Sequence, residues 1–134
     1  MMMITDAQRM LLRTHGTTLG RLFLGLLFFV SGIGMLRTMG VDGVTGMLEG
    51  LGVPLAGLVA ILILIVKILG GAGLILGYHT DESALMLFVF TFFTIVLVHN
   101  NEAEMTAALK NLAIMGGLLY VLAYGAGDGW KIFK

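Results

Sequence analysis

Residues Val53–Gly77, VPLAGLVAILILIVKILGGAGLILG, carry one charge, Lys67, and are otherwise apolar or small. A helix rises about 1.5 Å per residue, so a run of this length outreaches the ~30 Å hydrocarbon core of a bilayer. Pro54 stands at its very start, where a missing backbone N–H is harmless to a helix. The run is therefore read as a membrane span with an amine near its middle, and the rest of the chain is read around it.

Three further apolar stretches accompany it. The first covers residues 17–36 and is interrupted only by Arg21, about one turn inside. From there a long side chain reaches back to the headgroups, which makes Arg21 a snorkelling anchor. A cleaved signal peptide is disfavoured, because the stretch is too long and no small-x-small cleavage site follows. The second is the Val53–Gly77 run itself. The third, residues 84–98, is short and rich in phenylalanine, and it follows a tight polar turn at Tyr78–Ser83. The fourth covers residues 109–124. Residues 1–16 and 128–134 are left as tails. Only 12% of the 134 residues are charged, against about 25% in soluble domains, which agrees with lipid as the solvent.

The expected architecture is an all-α, antiparallel four-transmembrane-helix bundle with short connections. Lysine and arginine distribute unevenly about the spans: Arg9, Arg13, Arg21, Lys131 and Lys134 on one side, Arg37 and Lys110 on the other. The positive-inside rule then makes both termini cytoplasmic. Small residues at Gly16 and Gly20, Gly25 and Gly32, Gly73 and Gly77, and Ala113 and Gly117 recur at spacings that let helix backbones approach closely. Between the first two spans, Val44, Met47, Leu48 and Leu51 recur at helical spacing. This is either an ordinary loop or a short interfacial helix capped by Asp42, with Glu49 facing water.

Composition excludes several classes of function. The formal net charge of zero gives no basis for binding nucleic acid. The chain has no cysteine, which removes thiolate chemistry and thiolate metal sites. The three histidines are too far apart for a metal or haem site, and no nucleophile elbow, phosphate loop or carboxylate pair occurs. The sequence offers no catalytic constellation and no intrinsic cofactor.

Chemistry can still reside in Lys67. A lysine at mid-depth costs about 2.5–3.5 kcal/mol on the lenient insertion scale. No Asp or Glu lies in any expected span to pair with it. It must be neutral, bond to hydroxyls or carbonyls, or face a wet cavity or an anionic ligand. Ser31 on the first span, with Thr91 and Thr94 on the third, are the polar side chains at matching depth. A second group, His99, Lys110 and Asn111 with Asn100, Glu102 and Glu104, gathers where the third and fourth spans meet. It is read either as a polar loop with helix caps or as a contact for a headgroup, a quinone ring or a cation.

The order and spacing of several segments carry a resemblance. Gly20-Arg21-Leu-x-Leu-Gly25 with Phe28 and Ser31-Gly32-Ile-Gly34 is followed by Gly50-Leu-Gly-Val-Pro54. Then come Ile68-Leu-Gly-Gly71 and Leu74-Ile-Leu-Gly77, and finally His99 and Lys110-Asn111-Leu-Ala-Ile-Met-Gly116-Gly117. Over about residues 17–127 the chain resembles the DoxX family. The resemblance implies a small four-helix protein of the bacterial inner membrane, with relatives among the accessory subunits of quinone-linked oxidoreductases. It thus implies an anchor subunit for a soluble or membrane oxidoreductase, with quinone as the associated cofactor and homo-oligomerisation as an open option. Two positions depart from the family pattern. Met35 stands where a lysine is usual, and Lys67 stands where a glutamate is usual. A lysine–glutamate pair at these positions would here have its polarity reversed. Two other readings stand beside the anchor: a small-molecule or lipid binding or transport protein that uses Lys67, and a membrane scaffold or chaperone-like protein with no ligand.

Overall fold

A computed structural model describes residues 3–97, 105–127, 130 and 131. Among these residues every regular element is helical. The chain begins with α1 (Asp6–Leu11), passes through a single π-helical segment at Leu12–Gly16, and continues without a break into α2 (Thr17–Thr38). After α3 (Gly40–Gly50) come α4 (Ala56–Leu76), α5 (Thr80–Leu97) and α6 (Met105–Tyr124). Four helical stretches are long and apolar enough to cross a bilayer: Asp6–Thr38, Ala56–Leu76, Thr80–Leu97 and Met105–Tyr124. The expected four-span, all-helical bundle is what the chain forms.

The stretch expected to be an N-terminal tail is helical from Asp6 onward. Thr5 and Gln8 close a reciprocal capping box, the Thr5 side chain accepting from the Gln8 N–H and the Gln8 side chain from the Thr5 N–H. Where the π-helical segment gives way to α2, the Thr14, Thr17 and Thr18 hydroxyls all donate to carbonyls of the preceding turn, a pattern that loosens and bends helices.

Packing order around the bundle is α2, α4, α5, α6 and back to α2, each helix antiparallel to its neighbours. The α2–α4 seam is the most extensive. It is built on Gly25, Gly32 and Gly71: a Cβ at Gly71 would lie 2.6 Å from the Phe29 nitrogen and 2.8 Å from the Gly25 oxygen. Gly117 on α6 faces the Leu24 side chain of α2 more loosely, a Cβ there standing 3.3 Å from it. Gly16 and Gly20, expected to form a packing pair, have nothing within 4 Å of a Cβ placed on them. The core proper is Phe28, Leu74, Ala84, Leu87, Leu118 and Val121, with Phe28 meeting Phe90 edge-on across the bundle axis at 6.4 Å between centroids.

Helix limits follow local chemistry. Leu55, in the left-handed region at φ 53°, turns the chain into α4, so that Pro54 precedes the helix rather than opening it. At the other end Gly77, at φ 71°, lets the Tyr78 N–H return to the Gly73 carbonyl at 3.0 Å, the closure that left-handed glycine provides. The polar turn expected over Tyr78–Ser83 is shorter than that. Helix α5 begins at Thr80, and Asp81 and Glu82 occupy its first turn, where the helix dipole favours acids. Thr80 and Ser83 are buried, Ser83 because Gly73 leaves room for its side chain.

The segment between the first two spans is a helix and not a loop. Asp42 does not cap it: Met39 occupies the cap position, without a side-chain bond, and Asp42 falls in the first turn. Val44 and Leu48 are buried against Ala56 and Ala60 of α4, whereas Asp42 and Glu49 are exposed.

Candidate functional site

Helices α2 and α6 meet closely around Leu24 and Gly117. Toward the α3 end of the bundle a cavity of about 620 Å³ opens, a size within the usual range for small-molecule sites. Its walls come from α2, α4, α5 and α6, and Met47 and Leu48 of α3, with Leu51 just after it, line it at that end. The lining is mostly apolar. The polar side chains on it are Ser31, Lys67, Thr91, Thr94, Lys110 and Asn111. These are six of the seven residues singled out in the sequence. The seventh, His99, lies outside the described residues, as do Asn100, Glu102 and Glu104.

Lys67 sits near the middle of α4 and is buried. Its ammonium donates to Ser31 Oγ at 2.6 Å, and the Phe90 ring lies 5.7 Å away, within cation–π range. An ammonium has three donors. Among the described residues Ser31 is the one hydrogen-bond acceptor paired with it, so the remaining N–H groups are left for whatever fills the cavity. Backbone geometry explains the placement. Gly32 brings α2 so close that a Cβ on it would stand 3.0 Å from the Lys67 Cβ, and Ser31 is its neighbour on the cavity side.

The two threonines differ from Lys67 in what they offer. Thr91 donates to the Leu87 carbonyl at 2.7 Å, and Thr94 donates to the Phe90 carbonyl at 2.9 Å. Their protons are committed to the helix, leaving lone pairs only. Donors toward a ligand therefore come from Lys67, Lys110, Asn111 and the Ser31 hydroxyl. Met35 also lines the cavity, so Met35 and Lys67 face the same space.

Arg21 behaves differently from the expected snorkelling anchor. Its side chain is 1% exposed and donates through Nη2 to the Trp130 carbonyl, folding the C-terminal segment over the end of the bundle opposite α3. Nη1 lies against Gly77, which has no side chain to displace it, and Lys131 flanks the same spot. Burial wins because α4 ends in glycine there. Phe90 and the Arg21–Trp130 contact carry no sequence signal: each depends on neighbours brought together only by helix packing.

Residues 16–100 match the DoxX family. The chain belongs to the DoxX family. Inner membrane protein YqjF of Escherichia coli (strain K12) is 33% identical over 115 residues, an alignment that covers 84% of this chain and 85% of YqjF. With four apolar spans and this relative, the DoxX-family chain is a multi-pass protein of the inner membrane. No solved structure matches it.

Proposed function

We propose that this DoxX-family protein binds a small amphiphile dissolved in the membrane, holding its polar head at Lys67 and its apolar remainder along the cavity walls. The observation that supports this reading is the Lys67–Ser31 pair, with unused N–H donors, set in a cavity otherwise walled by apolar side chains. A buried ammonium with one protein acceptor is costly in lipid, and a bound acceptor offsets that cost.

A second reading, an anchor subunit for a quinone-linked oxidoreductase, draws support from the same cavity. A quinone is an apolar molecule with carbonyl acceptors, and a subunit without cysteine leaves redox centres to a soluble or membrane partner.

Native mass spectrometry of the full-length protein, released from its own membrane in mild detergent, tests both. Co-released lipid-like mass that disappears in Lys67→Met supports the binding reading; quinone mass or a co-purifying oxidoreductase subunit supports the anchor. A bare chain, or a homo-oligomer without small molecules, overturns both and leaves a scaffold.

A further inference from the structure

We infer that the amphiphile is anionic, an oxyanion head on an apolar tail, and that it reaches the cavity sideways from the bilayer along α2. The inference rests on the cavity being a binding site.

Two lysines, Lys67 and Lys110, line the cavity, and no Asp or Glu lines it among the described residues. Asp42 and Glu49 on α3 are exposed and take no part in the lining, and Glu102 and Glu104 lie outside the described residues. Among the described residues the lining is therefore electropositive, and burial among apolar walls leaves the field of Lys67 less screened than that of the exposed Lys110. The donors still available to a ligand, at Lys67, Lys110, Asn111 and Ser31, match an acceptor-rich head; an oxyanion accepts several at once. A neutral hydroxyl would satisfy fewer and leave the charge of Lys67 without compensation.

The route follows from a groove on the lipid-facing side of α2. Phe23, Leu26, Leu27, Val30 and Ser31 border it, and Leu27 and Ser31 border the cavity as well. Phe23 is 67% exposed, Leu27 46% and Val30 57%, so this face presents apolar surface to lipid. A tail lying in the groove passes directly to the cavity while its head meets Ser31 and then Lys67.

The test is equilibrium binding of palmitate, lysophosphatidate and hexadecanol to the purified full-length protein in neutral detergent. Palmitate or lysophosphatidate is expected to bind at least tenfold more tightly than hexadecanol. Whichever anion binds more tightly identifies the head as a carboxylate or a lipid phosphate. In Lys67→Gln the preference is expected to fall toward unity, and Lys67→Arg is expected to retain it. A bulky Leu27→Trp side chain at the junction of groove and cavity is expected to slow palmitate uptake several-fold. Equal binding of the anions and hexadecanol overturns the anionic class while leaving a binding cavity in place. Failure of all three probes to bind overturns the cavity reading itself. An anion preference unchanged in Lys67→Gln, with helical content and melting temperature intact, overturns the assignment to Lys67.

Discussion

Lys67 and Ser31 illustrate how one polar pair settles a depth problem in lipid. Interhelical hydrogen bonds in membranes contribute about 0.6 kcal/mol on average and up to about 1.7 kcal/mol. Ser31→Ala is therefore expected to cost roughly 0.6–1.7 kcal/mol in reversible unfolding in mixed micelles. Lys67→Met removes the ammonium outright while keeping the volume. Its ligand-free melting temperature is expected to equal or exceed that of the parent, and the stabilisation by added palmitate is expected to vanish. A lower ligand-free melting temperature in Lys67→Met would show that the amine is structurally required. These residues were legible in the sequence because polar side chains are rare at membrane depth. Their convergence was not: it depends on the closeness of α2 and α4 at Gly32, which no periodicity expresses. Arg21 was misread for the same reason, since the room for it is made by Gly77, far away in the chain.

Among the elements, the α2–α4 seam carries the sharpest mechanical constraint. A methyl group on Gly71 collides with the backbone of Gly25 and Phe29, and backbone cannot move aside as a flexible side chain can. Gly71→Ala is expected to destabilise the bundle by about 1–3 kcal/mol, the usual cost of overpacking. Gly20→Ala meets empty space and is expected to be neutral or stabilising by up to about 1 kcal/mol, since alanine is the better helix former. Equal effects in the two variants, measured side by side by thermal unfolding, would remove the seam from this account. Glycine spacing alone cannot separate these positions; only the partner helix does. Helix α3 shows the converse case. Its apolar spacing at Val44 and Leu48 was enough to allow a helix, yet its role at the cavity's end depends on the turn at Leu51–Leu55 that folds it onto α4.

At the scale of the whole molecule, four spans bring the N-terminal α1 and the segment after α6 to the same end of the bundle. Arg9, Arg13, Arg21 and Lys131 lie toward that end, and the positive-inside rule predicts that it faces the cytoplasm. Because the chain has no cysteine, single substitutions report orientation cleanly. Thr5→Cys and Tyr124→Cys are expected to resist an impermeant maleimide in intact spheroplasts and to react after lysis. Reaction of Thr5→Cys before lysis would invert the topology. Four spans could be read directly from hydropathy, because lipid imposes length and apolarity on each helix separately. The cavity could not, since residues of α2, α3, α4, α5 and α6 line it together, a property of the assembled bundle.

The Arg21–Trp130 contact has an optical consequence. Trp130 is the only tryptophan in the chain, and its carbonyl is fastened to a buried guanidinium at one end of the bundle. Trp130 is 55% exposed, and as the chain's one tryptophan its emission reports the surroundings of this one segment. A shift in wavelength or polarisation would register release of the C-terminal segment from Arg21, with no added dye, while the distant Lys67 cavity fills or empties unseen.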